Sequence, residues 1–309
     1  MLFHRNYLRF QGGHLKVWHY FNHLRSTDHF EPSIFFTPNS VKDANNPWHG
    51  EFIESVWSPE QANILFLAGL DWQALLNTNS RQLFKQTPII NLIQGLSHAH
   101  PQDVKYAFLK EKAIRICVSP QVSEAIHASG QVNGPVFTIN NGLDWSSLPL
   151  ALPATQKDID LLIVGIKRPN LAIELEKHPV LEGLNYVAVK QLLPRQAFLQ
   201  LLNRAKMALF LPHSEEGFYL PALEAMALGS LVICPDSIGN RGFCRPNTNC
   251  LMPDYSINGL ANAINAVKQF ADSKKSELLA AATQTVNEYS LARERAQFLE
   301  MMGNLEQLW

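Results

Sequence analysis

The chain has 309 residues, more than a single hydrophobic core usually supports, so its length predicts two domains. Hydrophobic residues make up 46% of the sequence, as expected for a compactly folded protein. The 26 basic and 27 acidic residues nearly cancel and form no long run of one sign, which excludes the charge pattern of a general nucleic-acid-binding protein.

The apolar runs are too short to cross a membrane. Runs such as "ILFLAGL" fall far short of the ~20 residues that a spanning helix needs, and the start "MLFHRNYLRFQGG" lacks the apolar core of a signal peptide. The cysteines are scattered and form no CxxC motif; they are Cys117, Cys234, Cys244 and Cys250. We therefore expect a cytoplasmic protein with reduced thiols and without a zinc site.

Aromatic and basic residues are concentrated in the first 25 positions. Leu15, Trp18 and Phe21 follow helical spacing, which indicates that these side chains belong to the core. The alternative is a surface that rests on the inner face of a membrane, where a lipid-linked acceptor would be presented. Gly12 and Gly13 precede this helix, whose first amides could face an anion, although a simple turn explains the pair equally well.

Short apolar runs alternate with segments of helical period along the whole chain. The predicted strands lie in "SIFF", "NILFLAG", "PIINLIQG", "AIRICVS", "PVFTI", "DLLIVG", "YVAVK", "MALFL", "LVICP" and "NCLMP". Helices are predicted over 104–110, 120–129, 170–177, 194–205, 221–228 and 256–270, followed by a helical tail from about Ser273. This alternation predicts an α/β protein with parallel sheets covered on both faces.

The alternation of strands and helices is interrupted in the proline-containing stretch "SSLPLALPATQKD" at 146–158. The break predicts two doubly wound domains, over 1–150 and 158–289, with a cleft between the carboxyl ends of their sheets. Asp158 and Asp160 match a metal-binding Asp-x-Asp string, but they lead into a buried strand, so no metal site is predicted.

Two histidines, His98 and His100, follow the strand in "NLIQGLSHAHP" at the expected cleft edge. They are candidates for contact with a substrate. Because the chain has 11 histidines, an incidental pair beside a loop is the competing interpretation.

The stretch "SEEGFYLPALEAMALG" at 214–229 directly follows the apolar run "MALFLP". Pro221 suits the first position of a helix, which would make Leu220 the N-cap, a residue without a side-chain oxygen. The first-turn amides therefore need another acceptor, and a phosphate or a sugar hydroxyl would supply one. Gly217 would allow the backbone to approach such a ligand closely.

Glu216 and Glu224 are placed to contact different parts of one ligand. Glu224 falls about one turn into the helix, where it could accept hydrogen bonds from the vicinal diol of a ribose, and Glu216 lies on the loop. The alternative for Glu216 is an exposed carboxylate that the helix dipole stabilises.

The run Glu216-Gly217-Phe218, Leu220-Pro221, "LEAMA", Gly229 and "LVIC" resembles the E-x7-E signature of retaining GT-B glycosyltransferases, glycosyltransferase family 4 in particular. The resemblance extends more loosely through "DIDLLIVGIKRPNLA", "GNRGFC" and "NCLMPDYSINGLANAI". It implies a GT-B fold, in which two Rossmann-like domains face a central cleft, with a C-terminal helix of about 290–309 packing back onto the first domain. It also implies a nucleotide sugar as the donor and no metal ion or other cofactor.

The resemblance assigns roles to individual residues. Glu224 would bind the ribose, and Glu216 and His98 would contact the transferred sugar. The other donor-binding residues would be Gly13, Lys167, Arg168, Gly217, Phe218, Tyr219 and Leu220. Lys167 and Arg168 follow the strand "LLIVG" and could neutralise a leaving diphosphate, or form an exposed charged turn. Many relatives have a second glycine at Tyr219, whose ring could instead stack on the sugar.

The expected activity is transfer of a sugar from a nucleoside diphosphate sugar to a saccharide or lipid-linked acceptor, with retention of anomeric configuration. Two alternatives stay open at this point: a nucleotide-sugar epimerase of the same fold, and a non-catalytic subunit that binds a sugar nucleotide. An epimerase would convert the donor without an acceptor, whereas a silent subunit would bind the donor without turnover.

Overall fold

The computed structural model describes residues 1–78 and 86–309. These residues divide into two compact units, one formed by Met1–Asn141 with Leu291–Trp309 and the other by Gly142–Ser290. Each unit has one parallel sheet with helices, so the molecule consists of two Rossmann-like α/β domains. The predicted fold class is confirmed in this respect.

The first unit is built on a sheet of six described strands in the order β2-β1-β3-β4-β5-β6, all parallel. The strands are β1 (Leu2–Arg5), β2 (Ser33–Phe36), β3 (Leu65–Ala68), β4 (Ile89–Ile93), β5 (Ile114–Cys117) and β6 (Val136–Thr138). Its helices are α1 (Gly12–Arg25), α2 (Asp71–Leu76), α3 (Pro120–Ala128), α9 (Leu291–Gly303) and α10 (Leu305–Leu308), with 3-10 turns at Leu96–Ala99 and Val104–Lys110.

The second unit is built on a sheet of five described strands in the order β11-β10-β9-β7-β8, again all parallel. The strands are β7 (Ile159–Val164), β8 (Tyr186–Val189), β9 (Ala205–Phe210), β10 (Leu231–Ile233) and β11 (Cys250–Leu251). The helices are α4 (Pro169–Leu175), α5 (Arg195–Arg204), α6 (Leu220–Ala227), α7 (Ile257–Gln269) and α8 (Asp272–Glu288), with a 3-10 turn at Ile238–Asn240.

The cores lie on the two faces of each sheet, as the apolar strands predict. In the first unit, Leu65, Leu67 and Ile89 pack with Trp72 of α2. In the second, a larger cluster joins β7, β9 and β10 to α4, α7 and α8; it includes Leu161, Ile163, Leu209, Ile233, Leu260 and Ile264. The same strands that form the cores therefore fix where each connecting loop begins.

The division between the units falls between Asn141 and Gly142, before the predicted break at 146–158. The intervening segment is hydrogen-bonded to the second unit. Leu143 donates its backbone N–H to Tyr289 at 2.7 Å, and the Asn203 side chain accepts from the backbone of Leu152 at 2.9 Å. The proline-rich stretch is thus part of the second unit's surface rather than a separate linker.

Most aromatic side chains near the start of the chain are buried. Phe3, Tyr7, Tyr20 and Phe21 are at most 4% exposed, while Trp18 is half-buried with its ring stacked on Phe21. The four cysteines are free thiols in the interior. Within 1–78 and 86–309, no helix is both long and apolar enough to cross a membrane.

Candidate functional site

The candidate site of the second unit lies at the carboxyl ends of three neighbouring strands. Residues 165–168 follow β7, residues 190–194 follow β8, and residues 211–219 follow β9. In open parallel sheets, ligands bind outside these strand ends because the connecting loops and helix N-termini meet there. The predicted donor-binding residues of the second unit belong to two of these loops and to α6.

The loop 214–219 is held by the 3-10 turn Ile238–Asn240. Ile238 donates its backbone N–H to the Ser214 carbonyl at 2.9 Å, and Tyr219 donates to the Gly239 carbonyl at 3.1 Å. A Cβ on Gly239 would lie 2.6 Å from the backbone oxygen of Glu216, so only glycine allows this approach. Contacts from a second loop therefore hold the backbone around Glu216 in place.

Helix α6 begins at Leu220, so the prediction that Leu220 is the N-cap was wrong by one residue. The N-cap is Tyr219, and Pro221 occupies the first turn. The Tyr219 side chain does not cap the helix, and the first-turn amides of Leu220 and Ala222 donate to the backbone carbonyls of Phe218 at 3.2 Å and Tyr219 at 3.3 Å. The prediction that the first-turn amides need an acceptor from a ligand was therefore wrong for these two amides.

Glu216 lies beside Lys167, which sequence analysis had assigned to a different part of the donor. The Lys167 Nζ is 3.4 Å from Glu216 Oε1, and the two side chains are 47% and 20% exposed. Oε1 is buried and accepts no hydrogen bond from any described residue. The pair brings an exposed cation and an unsatisfied carboxylate oxygen to the same edge of the sheet.

Arg168 is engaged by the protein itself. Its Nε donates to the carbonyl of Pro212 at 2.9 Å, and its guanidinium lies 4.2 Å from the centroid of the Tyr255 ring. These contacts tie the turn after β7 to the loop after β9. Of the two cations, Lys167 has the more accessible charge.

Glu224 is completely buried, with 0% exposure. Its Oε1 accepts a hydrogen bond from Nη2 of Arg195, the first residue of α5, while Oε2 is buried without a hydrogen-bond partner among the described residues. Arg195 was not among the site residues predicted from the sequence. The signal available was its position after the "YVAVK" strand, at the start of a helix predicted over 194–205.

The aromatic residues between the two glutamates face the protein. The Phe218 ring packs against Phe243 and Tyr289 at centroid distances of 5.2 and 5.9 Å. Tyr219 is 5% exposed and packs edge-on against Phe210, and burial raises the pKa of its hydroxyl well above the usual range. In this arrangement the Tyr219 ring is not available for stacking on a ligand, because it fills the core beneath α6. Gly217 and Leu220 are also buried.

Gly13 lies in the first turn of α1, in the first unit. Its carbonyl accepts from the Gln94 side chain at 3.2 Å, and a Cβ on Gly13 would meet Gln94 Oε1 at 3.0 Å. No side chain caps this helix start either. Gly13 thus lies close to the residues that follow β4.

His98 lies on the 3-10 turn Leu96–Ala99 and is 4% exposed. Burial, together with the charge of Lys105, lowers the pKa of His98 to about 3. The imidazole is therefore neutral at physiological pH and can offer a hydrogen bond but no positive charge. His100 is less buried.

Both carboxylates of the Asp-x-Asp string at 158–160 pair with basic side chains. Asp158 accepts two hydrogen bonds from Arg204, and Asp160 pairs with Lys206 at 2.8 Å. In the described part of the chain, no group of three or more His, Cys, Asp or Glu side chains could hold a metal ion.

Residues 137–269 match the protein-family model described as Glycosyl transferases group 1. The second unit thus matches a group 1 glycosyltransferase domain. The matched segment is less than half of the chain and includes the candidate site from Lys167 to Glu224. No curated protein sequence matches the chain significantly.

Solved structures match nearly the whole chain. Anabaena HepE in complex with UDP-glucose has a TM-score of 0.78 at 14% identity, covering 98% of this chain and 99% of that one. A glycosyltransferase from Rickettsia africae has a TM-score of 0.70 at 14% identity, covering 98% of this chain and 97% of that one. Sucrose-phosphate synthase from Thermosynechococcus elongatus has a TM-score of 0.69 at 15% identity, covering 99% of this chain and 98% of that one. At such low identity these likenesses establish the fold, which is GT-B.

Proposed function

We propose that this protein is a glycosyltransferase that moves a sugar from a nucleoside diphosphate sugar to a saccharide or lipid-linked acceptor. The observation that supports the proposal most is the arrangement around α6. Glu216 lies on the loop before α6, beside Lys167 of the turn after β7, and the buried Glu224 lies inside α6, beside Arg195 at the start of α5. This arrangement falls within the segment that matches the group 1 glycosyltransferase model.

Each group has a chemical role in this proposal. Glu224 accepts hydrogen bonds from the ribose, and Glu216 orients the transferred sugar through its hydroxyls. Departure of the nucleotide places negative charge on a diphosphate, which the Lys167 ammonium and the positive end of the α6 dipole stabilise. Gly217 and the backbone of Phe218, Tyr219 and Leu220 line the donor.

The first unit supplies the acceptor side in this proposal. His98, neutral because its pKa is about 3, serves as a hydrogen-bonding group for the transferred sugar, and Gly13 at the start of α1 is proposed as a donor-binding residue. Retention, and catalysis without a metal ion, rest on the resemblance to family 4 of the retaining enzymes. The anomeric configuration of the product, and turnover in the presence of EDTA, test these two points.

A thermal-shift panel of UDP-, GDP-, ADP-, CDP- and dTDP-sugars tests donor binding. UDP-glucose comes first because HepE, a structural neighbour, was solved with it. One nucleotide class should raise the melting temperature, since a ligand at 100 times its Kd stabilises by about 2.7 kcal/mol. Incubation with candidate acceptors should then yield a glycosylated product.

Variants of three glutamates separate the parts of the site. Glu224→Gln should abolish the shift caused by the nucleoside diphosphate and by its sugar. Glu216→Gln should keep the shift of the nucleoside diphosphate and lose the increment added by the sugar. Glu215→Gln is the matched control, because Glu215 is the exposed neighbour on the same loop. An unchanged shift in Glu224→Gln would remove that residue from the site.

The panel also discriminates between the functions. No shift with any nucleotide sugar contradicts the proposal. Conversion of the donor without an acceptor identifies an epimerase, and binding without turnover over the acceptor panel identifies a silent subunit. Only transfer to an acceptor agrees with a glycosyltransferase.

We further propose peripheral membrane contact through two adjoining loops of the first unit. The exposed pairs Leu8-Arg9 and Val41-Lys42 each join an apolar to a basic side chain, and the Val41 amide donates to the Tyr7 carbonyl at 2.7 Å. Such a surface suits an anionic bilayer. Flotation with anionic liposomes at low salt should succeed and should fail for Leu8→Ser/Val41→Ser; absence of flotation at low salt would end this proposal.

A further inference from the structure

Arg195 and Glu224 form an ion pair between the start of α5 and the body of α6. The Glu224 side chain is 0% exposed, whereas the Arg195 side chain is 18% exposed. The ion pair therefore joins a fully buried carboxylate to a side chain that is slightly exposed.

The two oxygens of the Glu224 carboxylate differ in their partners. Oε1 accepts the hydrogen bond from Arg195 Nη2, and Oε2 is buried with no hydrogen-bond partner among the described residues. A buried acceptor without a partner is costly and uncommon in native structures, and a charged one more so. A hydroxyl arriving with a ligand would satisfy Oε2.

Arg195 also controls how the Glu224 carboxylate is oriented. The guanidinium offers several donors in a fixed plane, so it can hold Oε1 and fix the rotation of the carboxylate.

The ion pair differs from the surface pair at the other end of the same helix. Arg204 and Asp158 have side chains that are 47% and 55% exposed, and both oxygens of Asp158 accept from Arg204. An exposed ion pair of that kind contributes little to stability, and here it leaves neither carboxylate oxygen of Asp158 available to a ligand. Arg204 thus provides a matched control for Arg195.

We infer that Arg195 is a positioning residue that makes Glu224 selective for an intact ribose diol over a deoxyribose. It holds Oε1 and fixes the rotation of the carboxylate, so that Oε2 accepts from a ribose hydroxyl. This inference rests on the proposed function, and it adds a residue and a specificity to the nucleotide site. The recognised chemistry is a ribonucleoside diphosphate.

Isothermal titration calorimetry tests the selectivity. The nucleoside diphosphate that binds best among UDP, GDP, ADP and CDP is compared with its 2′-deoxy and 3′-deoxy forms. In the wild type, loss of at least one hydroxyl should weaken binding by about tenfold to a hundredfold, the range for a hydrogen bond to a charged group. In Arg195→Met this ratio should fall to about twofold.

Further variants separate positioning from general damage to the fold. Arg204→Met should keep the wild-type ratio. Arg195→Lys keeps the positive charge but lacks the planar guanidinium, so it should restore part of the ribose-to-deoxyribose binding ratio. It also keeps the test valid if Arg195→Met does not fold.

The outcomes distinguish this inference from the proposed function. If Arg195→Met and Arg195→Lys both keep the wild-type ratio, Arg195 has no such role, while the proposed function stands. If the wild type binds a nucleoside diphosphate but does not distinguish ribose from deoxyribose, the inference fails and donor binding remains. If the wild type binds no nucleoside diphosphate, both fail.

Discussion

At the scale of single residues, the two glutamates have different surroundings despite belonging to one short segment. Glu216 is partly exposed beside Lys167, whereas Glu224 is fully buried beside Arg195. The difference follows from secondary structure, because Glu216 lies on a loop and Glu224 on the face of α6 that packs inward. Each carboxylate nevertheless has one buried oxygen without a hydrogen bond from a described residue.

Gly239 shows how a residue without a side chain supports this site. We expect Gly239→Ala to destabilise the protein by about 1–3 kcal/mol, the usual cost of adding a methyl group to a packed site. The new Cβ would lie 2.6 Å from the Glu216 oxygen and 2.7 Å from the Phe218 nitrogen, both backbone atoms. Relief of the clash requires the loop to move and with it Glu216, so the thermal shift caused by the donor should also decrease.

Thermal unfolding with and without the donor measures both effects. Gly303→Ala is the control, since a Cβ at Gly303 meets nothing within 4 Å. If Gly239→Ala melted at the wild-type temperature and responded fully to the donor, bracing by the turn Ile238–Asn240 would not matter for the site.

Sequence information at this scale identified residues but not their partners. Glu216 and Glu224 stand out because a helix start with proline and no polar cap is recognisable from residue types alone. Arg195 could not be linked to Glu224, because the contact spans 29 positions and depends on how α5 packs beside α6. Burial of the Tyr219 ring was likewise not predictable, since it depends on Phe210 beneath the helix.

At the scale of secondary structure, every predicted strand is present, because strands buried on both faces have nearly continuous apolar runs. The strand that was missed is β1, which lies between β2 and β3 in the first sheet. Its sequence "LFHR" ends in two polar residues. Both residues make a tertiary contact with Asp71, which accepts from Arg5 at 2.8 Å and lies 3.0 Å from His4 Nδ1.

Most helices were predicted to within two residues at each end. The helices predicted over 120–129, 170–177 and 256–270 correspond to α3, α4 and α7 within two residues at each end. The segment 104–110 forms a 3-10 helix rather than an α-helix. The short α2 was not predicted, because six residues hold too little periodicity for the 3.6-residue pattern to show.

At the scale of the whole molecule, the C-terminal residues Leu291–Trp309 belong to the first unit. The last helices, α9 and α10, belong with Met1–Asn141, and α9 packs on α1. A buried polar group lies between these two helices: Glu294 of α9 forms an ion pair with Lys16 and lies 3.0 Å from Nε2 of His23. Composition and periodicity predicted a helical tail, but this pairing of positions 278 residues apart depends on the fold.

The ionisation of Glu294 predicts how acid affects this attachment. Burial alone would raise the pKa of Glu294, but the charge of Lys16 and the hydrogen bond from His23 outweigh it and lower the pKa to about 2 from an ordinary value of 4.5. A carboxyl whose pKa falls on folding stabilises the native state above its unfolded pKa. This contribution is complete above about pH 4.5 and is lost as the pH falls through about 2.

Glu294→Gln should therefore lower the free energy of unfolding by about 3 kcal/mol at pH 7, because the buried Lys16 loses its counter-charge. The difference in the free energy of unfolding between the wild type and the variant should be smaller at pH 3, because Glu294 is already protonated in the unfolded wild-type chain at that pH. Urea unfolding at the two pH values measures the gap, with Glu300→Gln, exposed on the same helix, as the control. A gap of equal size at both pH values would mean that Glu294 stabilises the attachment of α9 by packing rather than by charge.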